Sequence, residues 1–169
     1  MRDPVYQAFL ARQYEDGTAL AAASDLVELL PFTGGPPDRY VARFGCAGLV
    51  RQGERIMEAR HFEIGIWFPS DYLRRAEPWQ VLTWLGPRDV FHPNISPRLP
   101  FICVGKLSPG TSLVDLLYQC FEIVTWQKVT MREDDALNPG ACGWARENLA
   151  RLPVDRRPLK WRRPVEVRA

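Results

Sequence analysis

The 169-residue chain is 46% hydrophobic and 25% charged, enough apolar material for one cored domain and short for two. Its formal charge of +2 gives no general case for nucleic acid or an anionic membrane as partner, although seven basic and two acidic residues follow from Arg151 onward. No signal-like pattern opens the chain and no apolar run approaches the roughly 18 residues that span a bilayer, so a cytoplasmic protein is expected.

Asp3-Pro4 opens a helix, because the carboxylate can accept from the first free amides and Pro fits the first helical position. Tyr6, Phe9 and Leu10 give that helix one apolar face, and Asp16-Gly17 reads as its end. Over residues 18–30 two patterns compete: Leu20, Ala23, Val27 and Leu30 suit a helix, while LVELLPF suits a strand. Thr33-Gly34-Gly35-Pro36-Pro37 is a break. The period then changes to two, with Tyr40, Ala42, Phe44 and Cys46 alternating, a turn at Arg51-Gln52-Gly53, and Phe62, Ile64, Ile66 and Phe68 alternating again. Residues 79–85 read as a further strand, closed by Gly86-Pro87. Links this short predict an antiparallel meander, and with the flanking helices an α+β fold.

Helix is expected again from Ser112, where Ser-Leu-Val-Asp is a capping signal. Leu113, Leu116, Leu117, Cys120, Val124 and Gln127 recur at threes and fours, a face suited to the sheet. Asn138-Pro139 opens the last helix as Asp3-Pro4 opens the first, with Ala141, Cys142, Ala145 and Leu149 inside. Pro153, Pro158 and Pro164 preclude one continuous helix beyond it. The chain thus divides into a domain over residues 1–150 and a basic tail over residues 151–169, read as solvated.

Cys46, Cys103, Cys120 and Cys142 lack the paired spacing of a zinc site or redox dithiol, and no metal or cofactor is expected. Three fall in apolar patterns; Cys103 alone sits in a loop. A cysteine hydrolase needs an imidazole to draw the proton from its thiol, and only His61 and His92 exist. His92 precedes Pro93, which restricts it to extended conformations, and a ring bonded to backbone competes with a role as base. Thioester exchange is less demanding. It needs a donor for the oxyanion that forms when an amine attacks, and Asn94 is either such a donor or a plain turn residue.

The order HPNI (His92, Pro93, Asn94, Ile95), FIC ending in Cys103, Ser108-Pro109-Gly110, amphipathic helix, Asp134-Asp135-Ala136-Leu137 and final helix resembles the ubiquitin-conjugating enzyme family. FEIGIWFPSDY upstream resembles that family's third strand and following turn, so the likeness covers roughly residues 38–149. It implies the ubiquitin-conjugating fold, with Cys103 accepting a ubiquitin-like modifier from an adenylating activating enzyme as a thioester and passing it to a lysine. It further implies that Asn94 steadies the loop and the oxyanion, that His92 and Pro93 are structural, and that Asp135 orients the incoming lysine, unless Asp135 is only a solvated acid before the last helix. Ser108, Pro109, Leu73 and Arg74 fall at partner-binding positions.

Three departures stand out. The link over residues 104–107 is short and lacks the family's Trp, the stretch between Asn94 and Cys103 holds Pro97 and Pro100 and about one additional residue, and Leu73-Arg74 replaces Pro-Phe. Such shortened loops resemble the divergent relatives in bacterial ubiquitin-like operons associated with antiviral defence, which implies an isopeptidase as a further partner. The rival readings are a non-catalytic modifier-binding module on the same fold, and a thiol hydrolase using Cys103 and His92.

Overall fold

The computed structural model describes residues 3–32 and 37–163. The expected break at residues 33–36 and the tail beyond residue 163 lie outside them. Helix α1 (Pro4–Ala22) begins as its sequence dictates, with Asp3 Oδ1 accepting from the Val5 N–H at 2.9 Å. It does not end at Gly17. A Cβ there would lie 2.7 Å from Leu113 Cδ2 and 2.9 Å from Leu29 Cδ2, so the residue lets two neighbouring elements approach the helix rather than terminating it. The contested stretch resolves both ways: the helix continues to Ala22, and strand β1 (Val27–Pro31) starts after a short turn.

Among the described residues five more strands follow: β2 (Arg39–Phe44), β3 (Gly48–Gln52), β4 (Arg55–Ala59), β5 (Phe62–Trp67) and β6 (Leu82–Gly86). Four of the six form an antiparallel sheet in the order β1-β2-β5-β6, with Leu29 opposite Ala42, Ala42 opposite Ile64, and Ile64 opposite Trp84. The alternation read from the sequence is the burial pattern, since Tyr40, Ala42, Phe44, Phe62, Ile64 and Ile66 all face the core. The hairpin β3-β4 is inserted between paired strands β2 and β5, and its apolar residues were not part of the expected meander. The strand expected over residues 79–85 starts later. Pro78 initiates one helical turn, α2 (Pro78–Val81), and β6 begins only at Leu82, leaving Trp79 exposed.

Helix α3 (Leu113–Val124) is capped as predicted, with Ser112 Oγ accepting from the Asp115 N–H at 3.0 Å, and Gln13 of α1 accepts from the Leu113 N–H at 2.7 Å. Its leucines, Cys120 and Phe121 close the main core over the sheet. Gln127 lies beyond its end and is exposed. Helix α4 (Pro139–Glu147) is capped by Asn138 Oδ1 and buries Ala141, Cys142 and Ala145, but Leu149 falls in a following 3₁₀ turn and is exposed.

The solvated tail is corrected over its described part. Residues 152–163 run back along the body as a strap. Leu159 is buried in the main core and Trp161 packs against it. The Asp25 N–H donates to the Trp161 carbonyl at 2.7 Å, Ser24 Oγ bonds the Leu159 carbonyl, and Asp155 Oδ2 accepts from the Ala47 N–H at 2.8 Å. Burying Leu159 contributes about 2 kcal/mol of transfer free energy toward holding the strap, alongside the hydrogen bonds at Ser24, Asp25 and Ala47.

Candidate active site

His92-Pro93-Asn94 and Cys103 lie on opposite arms of one short irregular hairpin. The Cys103 N–H donates to the Asn94 carbonyl at 2.8 Å, Ile95 bridges Ile102, and the Ser96 N–H donates to the Phe101 carbonyl at 2.9 Å. Ile95 and Ile102 are buried in the main core and anchor the hairpin. Pro97 and Pro100 are confined to its tip, where missing amide donors do no harm. Cys103 is half-buried, whereas Cys46, Cys120 and Cys142 are buried. Burial pushes the Cys46 and Cys120 thiols up to about 12, so neither ionises at neutral pH. Of the four cysteines, only Cys103 escapes full burial.

Asn94 is 4% exposed and ties three segments together. Its Nδ2 donates to the Cys103 carbonyl at 3.1 Å, and its Oδ1 accepts from the Thr130 N–H at 2.9 Å. Cys142 Sγ of α4 extends the chain of contacts, donating to the Thr130 carbonyl at 3.2 Å. An amide side chain suits this position because it donates to one backbone segment from Nδ2 and accepts from another at Oδ1; an ionised carboxylate cannot donate, and a hydroxyl must do both from a single atom. One Nδ2 hydrogen is occupied in bracing the loop and a second remains.

His92 is 1% exposed, and its Nδ1 accepts from the Asn94 N–H at 2.9 Å. The proton of the neutral ring is therefore on Nε2, which is buried without a hydrogen-bond partner among the described residues. Burial pushes the imidazole down to about 3, and its ring rests 4.5 Å from that of Trp126. Neither ring nitrogen bonds the Cys103 thiol. An imidazole in this setting holds the turn and is not poised as a base for sulfur. His61 is exposed and lines a surface groove with Asp25, Glu28, Arg43 and Glu63.

Pro93 contributes its carbonyl, which accepts from the Leu137 N–H at 2.8 Å and the Asn138 N–H at 3.2 Å. That pair of bonds fastens the acidic turn Glu133–Asp135 and the start of α4 to the His-Pro-Asn segment. Asp135 itself is largely exposed and pairs with Arg132 Nε at 3.4 Å; Asp134 pairs with the same guanidinium at 2.6 Å, which holds its carboxyl below the usual range. Among the described residues nothing bonds Asp135 to Cys103 or Asn94. The structure thus brings Cys103, Asn94, His92 and Pro93 into one bonded unit and leaves Asp135 outside it, paired with Arg132 on a turn tethered through Pro93.

No protein-family model matches the chain, and no curated protein matches it in sequence.

Three residues that the sequence did not single out complete the site. Trp126 has φ +64°, a conformation that disfavours a side chain, and is 2% exposed. Its indole lies 5.4 Å from Trp144 and 6.2 Å from Phe91, so a second small core forms beneath the His92 turn. Lys128 Nζ donates to the Val104 carbonyl at 2.6 Å, holding the residue after the cysteine from the far side, and Thr130 receives Asn94 through its backbone. Neither a left-handed Trp nor a backbone amide has a signature in residue periodicity. Lys128 was legible only as a charge.

The expected partner-binding positions also converge. Ser108 and Pro109 are exposed, Arg74 is exposed and Leu73 half-buried. Tyr72 Oη donates to the Thr111 carbonyl at 2.8 Å, and a Cβ on Gly110 would lie 3.8 Å from Leu73 Cδ2. The two loops form one edge. Among the described residues no helix is long and apolar enough to cross a membrane, and no group of three His, Cys, Asp or Glu side chains gathers as a metal site.

Proposed function

We propose that this protein is a ubiquitin-conjugating-type enzyme with the ubiquitin-conjugating fold. It accepts a ubiquitin-like modifier from an adenylating activating enzyme as a thioester on Cys103 and transfers it to a lysine amine. The observation that carries the reading is the double engagement of Asn94, which braces the backbone on either side of a reachable thiol. A pure binding module needs neither the thiol nor the brace.

The chemistry needs little from the protein. Exchange of one thioester for another is near thermoneutral and requires no strong base, in keeping with a site whose nearest imidazole is locked and neutral. When an amine attacks, charge develops on the thioester oxygen, and the free Nδ2 hydrogen of Asn94 is the donor at hand. Asp135 on its tethered turn accepts from the ammonium of an approaching lysine and orients it; its charge raises the lysine pKa, so its contribution is placement. ATP is consumed by the activating partner. The edge formed by Leu73, Arg74, Ser108 and Pro109 receives a protein partner without the usual Pro-Phe. Placement in the cytoplasm, in a bacterial antiviral operon with an isopeptidase, belongs to the same reading.

The test is incubation with ATP, a ubiquitin-like modifier and its activating enzyme from the same genome, followed by gels with and without reductant. An adduct that reductant removes, and that Cys103→Ala does not form, is expected. Its absence beside a demonstrably charged activating enzyme would favour the binding-module reading.

A further inference from the structure

A groove of about 610 Å³ runs between strand β6 and the tip of the hairpin that carries Asn94 and Cys103. Thr83, Trp84 and Leu85 form one wall with Arg88 beyond them, and residues 96–100 form the other. Both walls are pinned. The Trp84 N–H donates to the Pro100 carbonyl at 3.0 Å, and Trp84 Nε1 donates to the Pro87 carbonyl at 2.9 Å. Within the tip, Ser96 Oγ accepts from the Arg98 and Leu99 N–H groups at 3.3 and 3.1 Å, and the rings of Pro97 and Pro100 fix their own φ. A groove held this way gives up little freedom when it is filled, and that ordering cost is what otherwise weakens binding.

The lining carries one sign of charge. Arg88 and Arg98 are exposed, one on each wall, and among the described residues neither guanidinium makes a hydrogen bond or ion pair. By contrast, Arg12, Arg43, Arg75, Arg132, Arg146 and Arg157 each pair with a carboxylate of the chain itself. No acidic residue lines the groove, and the carboxylate next in sequence to Arg88, on Asp89, accepts from Gln52 Nε2 at 3.1 Å. Leu85 and Leu99, 47% and 55% exposed, stand on the two walls beside the arginines. A guanidinium fork matches a carboxylate through two parallel hydrogen bonds, and exposed leucines match aliphatic side chains. A nucleic-acid strand fits less well. It binds by stacking bases on exposed rings, and the one aromatic ring in this lining, Trp84, is only 6% exposed.

We infer that this groove is a docking site for an extended segment of another protein in which acidic side chains flank aliphatic ones. The carboxylates pair with Arg88 and Arg98, and the aliphatic side chains cover Leu85 and Leu99. Neither a thiol nor a thioester takes part, so the inference stands or falls apart from the transfer reaction.

The experiment titrates the full chain into a fluorescein-labelled synthetic peptide, Glu-Asp-Leu-Asp-Leu-Asp-Glu, and reads anisotropy at low and moderate salt. The amide chemical shifts of the isotopically labelled chain locate the contact. Binding that weakens as salt rises is expected, with shifts centred on Thr83, Leu85, Arg88, Ser96 and Arg98. Arg88→Glu and Arg98→Glu should each weaken it about tenfold, because a charge-assisted contact is replaced by repulsion. Arg12→Glu, which makes the same change of net charge on α1, should leave it unchanged. Both groove arginines are exposed, and equal urea midpoints for the variants would confirm that folding is intact. The inference fails if the peptide does not bind, if a version with lysine in place of every acid binds as tightly, or if the shifts map elsewhere. It fails equally if Arg12→Glu costs as much as the groove variants, which would mark diffuse attraction, or if an oligouridylate of the same length binds more tightly than the peptide.

Discussion

Replacing Asn94 by Ala removes both bonds that the amide makes, at 3.1 Å to the Cys103 carbonyl and 2.9 Å to the Thr130 N–H. Each partner is half-buried, so water recovers part of the loss and each abandoned group costs about 1 kcal/mol, the lower end for an unsatisfied polar atom. The vacated volume at a 4%-exposed site adds on the order of 1 kcal/mol, for a total near 3 kcal/mol. Asn94→Asp is more discriminating. It keeps the oxygen facing Thr130 but turns a second oxygen toward the Cys103 carbonyl, so the folded carboxyl is pushed up and takes a proton on folding. Relative to wild type, the Asp variant should therefore regain stability as pH falls from 7.5 to 5.5, while the Ala variant should not. Urea unfolding with an unchanged m value measures both. An Ala variant within about 0.5 kcal/mol of wild type, or an Asp variant whose deficit ignores pH, would refute the bracing argument.

Asn94→Ala should also leave charging of Cys103 intact while slowing discharge to lysine by about 10² to 10³, read by single-turnover assay of the thioester. His92 charges only near pH 3 when folded but near 6.5 when unfolded, so its contribution is complete above 6.5 and lost as pH falls toward 3. By pH 5 that amounts to about 2 kcal/mol, a slope that His92→Asn should lack in pH-dependent urea titrations. Asp155 has its own window. Burial pushes its carboxyl up, but bonds from the Arg157 side chain and the Ala47 and Arg157 N–H groups outweigh this and hold it at about 2, so its contribution fades only between about 4 and 2. Trp126→Ala should cost about 3 to 5 kcal/mol in the same assay, and Trp126→Gly less than Ala, because glycine accepts φ +64° without strain; the reverse order would contradict the left-handed placement.

Strands with one buried face were legible because alternation and burial are the same fact, as Tyr40, Ala42 and Phe44 demonstrate. Capped helix starts were legible too: Asp3, Ser112 and Asn138 each accept where their sequence context placed them. Gly17 misled because local propensity marks a helix end, while its actual role is a close approach to Leu113 and Leu29 from distant parts of the chain. The strap misled for a related reason. Its charge predicts solvation, yet Leu159 and Asp155 find partners in Ser24 and Ala47 more than a hundred residues away. At the candidate site, Cys103, Asn94 and Pro93 were visible as a motif, but Thr130 enters through its backbone and Trp126 through a rare dihedral angle, neither of which residue type records.

The central claim is that Cys103 carries the acyl group, and the most direct measurement is the mass of Cys103→Ser after incubation with ATP, modifier and activating enzyme. Oxygen in place of sulfur should trap the intermediate as an ester. The account predicts a gain of one modifier less one water, stable to reductant, cleaved by hydroxide and mapped to position 103. An unchanged mass beside a charged activating enzyme, or an adduct mapped to any other position, would contradict it.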